Sequence, residues 1–140
     1  MLLGGAILAA WTLPDRKSRP VAWTDLTGAT GQLVVVRSER RLFRRRPQLV
    51  RYLEDAEAKQ PAPAVDFSTR QLLLVSPGPR SSTGYGVYVL SVRERGGKIT
   101  VRVRERAPRL GQQVSPHVTY PYRLLSLPAG KSVFVDWVGR

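Results

Sequence analysis

A pair of adjacent glycines inside an alternating sequence constrains this chain more than any other feature. Gly96 and Gly97 divide the stretch SVRERGGKITVRVRER, Ser91 to Arg106, into two halves in which apolar and charged residues alternate. Two glycines between alternating segments favour a two-residue hairpin turn, because both turn positions adopt a positive φ angle. The pattern therefore predicts a long β-hairpin over about residues 85–106.

A two-residue turn also fixes which residues of the hairpin face each other. With Arg95 opposite Lys98, the register predicts an apolar face made of Tyr88, Leu90, Val92, Ile99, Val101 and Val103. The other face then carries Arg93, Arg95, Arg102, Arg104 and Arg106. On this face, Val89 is expected opposite Arg104 and Val87 opposite Arg106. Such a basic face is either a surface for an anionic partner or a solvated face without a ligand.

The whole chain, like the predicted hairpin, is strongly basic. The 140 residues include 23 Lys and Arg but only 10 Asp and Glu, a formal net charge of +13. Such a field attracts nucleic acid, anionic lipid, acidic envelope polymers or an acidic protein, and charge alone does not choose among them. The predicted basic face has no aromatic residue except Tyr85 near its start. That argues against single-strand binding, which uses stacked rings, while salt-dependent duplex binding stays open.

Several kinds of chemistry are excluded by missing residues. The chain has no cysteine, which excludes disulfides, thiolate catalysis, cysteine-ligated metals and the acylated cysteine of bacterial lipoproteins. His117 is the single histidine, and neither a Gly-x-Ser-x-Gly elbow nor a phosphate-binding loop is present. We therefore predict no catalytic residue, no metal site, no cofactor and no small-molecule substrate.

The N-terminal segment MLLGGAILAAWTLP, residues 1–14, has no charged side chain. It is shorter than the roughly 20 residues that span a bilayer, and it resembles the apolar region of a secretory signal without the usual basic start. A first strand or buried arm is the alternative. We expect an apolar signal or anchor segment over 1–14, a linker over 15–22 and a single domain over 23–140. The expected location is the cell envelope or the exterior, with a cytoplasmic location left open.

The remaining patterns predict an α+β fold. A strand is expected over Gln32–Arg37 and a helix over 39–46 capped by Ser38. A second helix follows Pro47, with an apolar stripe at Leu49, Tyr52, Leu53 and Ala56. Further strands are expected at Leu72–Ser76, Tyr120–Leu127 and Ser132–Val138. Together they predict one mostly antiparallel, twisted sheet or partly open barrel with one or two covering helices over about 39–59.

Four stretches in the second half share the order and spacing of a known family. They are PAVDFS (Pro63–Ser68), GPRSSTGYGVYV (Gly78–Val89), VRERAPRLGQ (Val103–Gln112) and TYPYRLLSL (Thr119–Leu127). With the weaker segment GQLVVVRSE, the chain resembles the C-terminal domain of the protease complex subunit PrcB family over about residues 23–130. It departs from the family where Gly84-Tyr85-Gly86 separates two glycines that are usually adjacent, and where the helical segment is more basic and lacks the usual Trp.

The resemblance implies a non-catalytic bacterial cell-envelope domain that binds a protein partner, such as a protease or another envelope component. The alternative is an electrostatic module that binds nucleic acid or an acidic envelope polymer with the arginine face. A partner surface is expected on the loop 77–85 beside the turn 107–112, at Arg80, Ser81, Thr83, Gly84, Tyr85 and Arg109. Structural roles are expected for Asp66, Phe67, Gly86, Pro108, Gly111, Pro121 and Tyr122, with Arg80 bonded to a carboxylate such as Asp66.

Overall fold

Eight strands and two helices make up the part of the chain that the computed structural model describes, residues 17–139. The predicted apolar segment 1–14 lies outside the described residues. The elements are β1 (Arg19–Pro20), β2 (Thr24–Asp25), α1 (Thr27–Thr30), β3 (Glu39–Phe43), α2 (Arg46–Asp55), β4 (Arg70–Ser76), β5 (Gly86–Arg95), β6 (Lys98–Arg106), β7 (Arg123–Pro128) and β8 (Ser132–Trp137). The predicted α+β class is confirmed.

The strands form two four-stranded sheets rather than one sheet or a barrel. The hairpin sheet has the order β1-β5-β6-β8, and the central sheet has the order β2-β7-β4-β3. The pairing is antiparallel except between β6 and β8, which are parallel. β7 and β8 enter different sheets although only residues 129–131 join them. The Gln71 side chain holds this connection by donating to the carbonyls of Pro128 (2.8 Å) and Lys131 (3.0 Å).

The central sheet is apolar on both faces because it lies between two layers. On one side, Leu72 and Leu74 pack with Phe43, Leu49 and Leu53 against α2. On the other side, Leu73, Val75, Leu125 and Leu127 pack against the inner face of the hairpin sheet. The unbroken apolar run of β4 reflects this double burial. The outer face of the hairpin sheet is left without a covering layer among residues 17–139.

Two predicted elements before α2 are wrong. Residues 32–37 form neither a strand nor a helix. Leu33 and Val35 enter the α2-side core, the Val34 amide donates to the Ala56 carbonyl (2.8 Å), and Val36 is 68% exposed. Residues 39–43 form the edge strand β3 rather than a helix, because Leu42 and Phe43 enter the two cores on opposite faces of the central sheet.

The helix predicted after Pro47 is confirmed. Leu49, Leu53 and Ala56 are buried, and Tyr52 is half-buried against the same core. Pro47 lies in the first turn, where its missing amide costs no helical hydrogen bond. The Gln48 side chain accepts from the Arg44 and Arg45 amides and so satisfies donors at the helix start.

The hairpin register is confirmed at its turn end and wrong at its base. Arg95 pairs with Lys98 and Ser91 with Arg102, as the glycine turn predicts. A bulge at Leu90 then shifts β5 by one residue, so that Val89 pairs with Val103 and Tyr88 with Arg104. Val87 and Val89 consequently face inward, while Tyr88 and Leu90 are exposed. The bulge therefore transfers Tyr88 from the predicted apolar face to the basic face.

The predicted linker 15–22 contains the edge strand β1. Arg19 and Pro20 pair with Glu94 and Arg93 of β5. The Arg93 guanidinium also donates to the Ser18 hydroxyl (2.8 Å) and carbonyl (3.0 Å). These bonds attach the residues that follow the N-terminal segment to the edge of the hairpin sheet.

Stability in acid is expected to depend on Glu94, which is buried on the inner face of the hairpin sheet. Lys131 (2.5 Å) and Arg19 (3.5 Å) bind its carboxylate, and the bond from Lys131 is the main reason that the pKa of Glu94 lies below its usual value of 4.5. A lowered pKa stabilises the fold above the unfolded-state pKa, and that contribution is lost as the pH falls through the folded-state pKa. Glu94→Gln should therefore lower the free energy of unfolding at pH 7 and change it much less near pH 3, measured by urea denaturation. An equal loss at both pH values would contradict this assignment.

Candidate interaction surfaces

The loops that carry most of the predicted partner residues form one braced unit. We call it the loop cluster, residues 77–85 and 107–121. Arg80 and Thr119 exchange backbone hydrogen bonds (both 2.8 Å), and the Ser115 amide donates to the Thr83 side chain (2.8 Å). The Thr119 hydroxyl donates to the Ser82 carbonyl (2.8 Å). Loops held by such bonds can present side chains in a fixed arrangement.

Arg80 anchors the loop cluster to the hairpin sheet. Its guanidinium makes two bonds, of 2.5 and 2.7 Å, to the carboxylate of Glu105 in β6. The hydrogen bond to Glu105 raises the pKa of Arg80, so the guanidinium stays charged. The prediction that Arg80 bonds a carboxylate is confirmed, but the carboxylate is that of Glu105. The suggested partner, Asp66, instead accepts bonds from the amide (3.0 Å) and hydroxyl (2.6 Å) of Ser68. The guanidinium also lies 5.8 Å from the centre of the Tyr85 ring.

Gly84 allows the two halves of the loop cluster to approach closely. Its φ angle is +96°, and a Cβ at this position would lie 2.9 Å from the Pro108 ring and 3.0 Å from the Val114 side chain. Any other residue would be strained and would push residues 107–114 away. The turn at 109–112 is closed by a bond from the Gln112 amide to the Arg109 carbonyl (2.9 Å).

Apolar side chains at the outside of the loop cluster are exposed. Leu110 is fully exposed at the tip of the 107–112 turn, and Val114 and Val118 are also exposed. A groove of about 650 Å³ beside them is lined by Tyr85, His117, Val118 and Tyr120 and extends to residues 31–34. Exposed aliphatic residues next to a partly apolar groove on a rigid scaffold are typical of protein-binding surfaces.

The structure places each of the predicted loop residues in or near this unit. Ser81 and Arg109 are exposed, while Arg80, Thr83 and Tyr85 are partly buried by the contacts that brace the loops. Sequence reasoning missed Leu110, Val114 and Val118. Apolar residues within a polar loop were the signal that could have indicated them. Their exposure, however, depends on how the loop packs.

The five arginines predicted to share a face do so, on the outer face of the hairpin sheet. We call this surface the basic face; it comprises Tyr88, Ser91, Arg93, Arg95, Lys98, Thr100, Arg102, Arg104, Arg106, Ser132, Phe134 and Asp136. Arg102 pairs with Asp136 (3.2 Å), and both side chains are about half exposed. Tyr88 and Phe134, which are 39% and 51% exposed, are the residues that sequence reasoning missed. The bulge brings in Tyr88, and the parallel pairing of β6 with β8 places Phe134 opposite Thr100.

The sequence contains a second run of basic residues, RSERRLFRRRP (residues 37–47), which does not extend the basic face. Arg41 lies on the α2 side of the central sheet, where its guanidinium is 5.3 Å from the centre of the Tyr52 ring. Burial, and next the hydrogen bond to Glu39, raise the pKa of Tyr52. Arg45 and Arg51 line a second groove of about 870 Å³ between β3 and α2. Arg41 and Arg45 of this run therefore lie on the α2 side, away from the hairpin sheet, whereas Arg40 donates to the Val133 carbonyl of β8.

No group of three or more His, Asp or Glu residues that could hold a metal ion occurs within residues 17–139. His117 is exposed, with its amide donating to the Ser115 carbonyl, and no hydrogen bond joins its side chain to a serine or carboxylate in that range. Among the same residues, no helix has the length and apolarity to cross a membrane.

Comparison with known proteins identifies the segment that contains the loop cluster. The model of a family described as PrcB C-terminal matches residues 72–128. Residues 72–128 are therefore similar to a PrcB C-terminal domain. The match confirms the resemblance found in the sequence. It suggests a domain that is associated with a protease complex and therefore has a protein partner. No curated protein and no solved structure matches the chain.

The PrcB C-terminal match runs from β4 to the end of β7 and so includes the whole hairpin and both halves of the loop cluster. Three of the four sequence motifs lie in it, and Pro63–Ser68 precedes it. In that preceding motif, Asp66 closes a turn and the bonds from Ser68 lower its pKa, while Phe67 packs against the α2-side core.

The remaining motif residues of the matched segment lie in or beside the loop cluster. The Pro121 carbonyl accepts from the Ser76 hydroxyl (2.7 Å). Tyr122 is buried, its hydroxyl bonds to Thr30 (2.5 Å), and burial raises its pKa. Gly86 lies beneath the Tyr88 ring, Pro108 contacts Gly84, and Gly111 adopts a φ of +82° in the exposed turn.

Proposed function

We propose that this chain is a non-catalytic accessory module of the bacterial cell envelope that binds a protein partner of a protease complex through the loop cluster. One observation carries the proposal. The segment that matches a protease-complex subunit domain is the segment that builds a braced loop unit with exposed apolar side chains.

Contacts with the sheet and between the two loops hold the loop cluster in a fixed arrangement. Arg80 and Glu105 fix one loop to the sheet, and Gly84 lets the other pack against it. Binding to an ordered surface loses less conformational entropy than binding to a mobile loop. Leu110 can then enter an apolar pocket on the partner while Arg109 remains at the polar rim.

An accessory role fits the chemistry of the site better than an enzymatic one. The loop cluster contains one histidine and no acidic residue, so it offers no acid–base pair for hydrolysis. The predicted segment 1–14 supports export or tethering, although it lies outside the described residues.

Affinity capture tests this proposal. The full chain is used as bait in an envelope extract, with washes at about 0.1 M and about 0.5 M salt. We expect one discrete protein, a protease or a second subunit of its complex, to remain at high salt, because apolar contacts are insensitive to screening. A Gly84→Val bait should lose it. Retention of only nucleic acid or acidic polymer, released by salt, would contradict the proposal.

A second candidate function is electrostatic binding of a polyanion by the basic face. The observation that favours it is a sheet face, left uncovered by residues 17–139, that carries Arg93, Arg95, Arg102, Arg104 and Arg106. This function predicts affinity that falls steeply with salt and is lost when Arg104 and Arg106 are both changed to Glu. Binding that is unchanged by both treatments would exclude it.

A further inference from the structure

We propose that the basic face docks on the surface of an anionic lipid bilayer. The inference rests on the second candidate function and names its ligand. It is independent of the protein partner, because the loop cluster and the basic face are formed by different residues.

The charge of the basic face complements an anionic lipid surface. The strand register gives this face five arginines and Lys98 against a single carboxylate, Asp136, which Arg102 neutralises. Arg104 and Arg106 are exposed at the base of the hairpin, and Arg95 and Lys98 are exposed at its turn. A sheet face of this kind presents its cations together toward one surface, as a layer of lipid headgroups requires.

The aromatic residues on the basic face are placed for a lipid interface rather than for stacking on nucleic acid bases. The Arg106 guanidinium lies 4.5 Å from the centre of the Tyr88 ring, and the ring also lies over Gly86, where a Cβ would come within 3.1 Å of it. The Lys98 amine lies 4.1 Å from the centre of the Phe134 ring. A base that stacked on Tyr88 would have to displace its cation, since binding by stacking needs an open ring face. Aromatic rings paired with cations are instead suited to the headgroup region of a bilayer.

Exposed apolar groups on and beside the face have no role in binding a nucleic acid backbone. Phe134 is 51% exposed, and Leu90, at the bulge in β5, is 47% exposed. Apolar side chains that accompany a cluster of basic residues enter the boundary between headgroups and acyl chains, and their burial adds to the electrostatic attraction. Among the polyanions of the cell envelope, an anionic bilayer binds the basic residues and the exposed apolar residues together.

In sequence, the predicted apolar segment 1–14 lies close to the hairpin sheet. Residues 15–18 separate it from β1, the edge strand of that sheet, and four residues reach at most about 14 Å when fully extended. Arg93 fixes Ser18 to the sheet. A bilayer that held the apolar segment would therefore lie within reach of the basic face.

A site-specific fluorescent probe tests the orientation. The chain has no cysteine, so Ser132→Cys places a unique label on the basic face, and Gln60→Cys places one beyond the end of α2 as a control. The full chain is mixed with phosphatidylcholine vesicles, with or without about 30% phosphatidylglycerol. We expect bilayer-bound quenchers to quench the label at 132 only with the anionic vesicles, and the label at 60 to stay unquenched. Equal quenching at both positions would overturn the proposal.

Matched charge variants separate the basic face from the net charge. Arg104→Glu with Arg106→Glu should weaken binding to the anionic vesicles on the order of a hundredfold. Arg44→Glu with Arg51→Glu makes the same change in net charge on the α2 side and should have a much smaller effect. Equal losses in the two double variants would overturn the proposal.

An apolar variant separates lipid from other polyanions. Leu90→Ser with Phe134→Ser keeps every charge, and it should weaken vesicle binding while leaving binding of a single-stranded oligonucleotide or polyglutamate unchanged. Vesicle binding that is insensitive to this variant, or tighter binding of the oligonucleotide than of the vesicles at equal charge, would overturn the lipid assignment. The capture of a protein partner is tested by separate substitutions at Leu110 and Gly84. The lipid proposal and the partner proposal can therefore fail independently.

Discussion

Replacing Gly78 with alanine is expected to lower the free energy of unfolding by about 3 kcal/mol or more, because two costs coincide. Gly78 has a φ of +91°, which L-residues rarely adopt. Its added Cβ would lie 2.8 Å from the Ser38 amide nitrogen and 3.1 Å from the Arg37 carbonyl carbon. These backbone atoms cannot move freely, because Glu39 begins β3 by pairing with Ser76 and the Ser38 side chain bonds to the Ser76 carbonyl (3.3 Å).

Gly111→Ala provides the matched control for this prediction. Gly111 has a similar φ of +82°, but no atom lies within 4 Å of its hypothetical Cβ. It should show only the cost of the backbone angle, about 1 kcal/mol. Both variants are measured by urea denaturation at constant m-value. Equal losses would show that the contact between Gly78 and residues 37–38 is unimportant for stability.

Replacing Leu110 with aspartate is expected to weaken binding of the protein partner on the order of a hundredfold without changing stability. Leu110 is fully exposed in the free chain, so the substitution removes no core contact. In the complex, the carboxylate would be buried in an apolar pocket without a counter-charge, which is costly. The affinity for the captured partner is measured by titration calorimetry.

Val36→Asp is the control for Leu110→Asp. Val36 is another exposed aliphatic residue, 68% accessible, and it lies beside β3 and α2 rather than in the loop cluster. The same change of charge there should leave partner affinity within about twofold of the wild type. An equal effect of the two substitutions would mean that charge, not the loop surface, determines binding.

Local patterns predicted the parts of the fold that local physics determines. The glycine pair and alternating residues fixed the hairpin turn and its first five residue pairs, and the stripe from Leu49 to Ala56 fixed the buried side of α2. The bulge at Leu90 could not be predicted, since Tyr88 and Leu90 are as suited to an inward position as Val87 and Val89. Packing against the central sheet decides between them.

The other errors of the sequence-based prediction also arise from packing between segments that are distant in sequence. Residues 32–37 have a strand-like composition, but Leu33 and Val35 are buried by packing near the end of α2. The run ERRLF has helical neighbours in sequence, yet it becomes the edge strand beside β4. For the candidate site, the motif residues were found because their spacing resembles a family. The exposure of Leu110 and the position of Phe134 depend on contacts between segments distant in sequence.

The central claim, that the loop cluster binds a protein partner, is tested most directly by photo-crosslinking in the native cell. A photoreactive amino acid replaces Leu110 in one strain and Glu54, an exposed residue of α2, in another, and crosslinked products are identified by mass spectrometry. We predict that Leu110 crosslinks to one discrete protein of a protease complex and that Glu54 does not. Crosslinks to the same proteins from both positions, or none from Leu110 in cells where the chain is folded and abundant, would contradict the account.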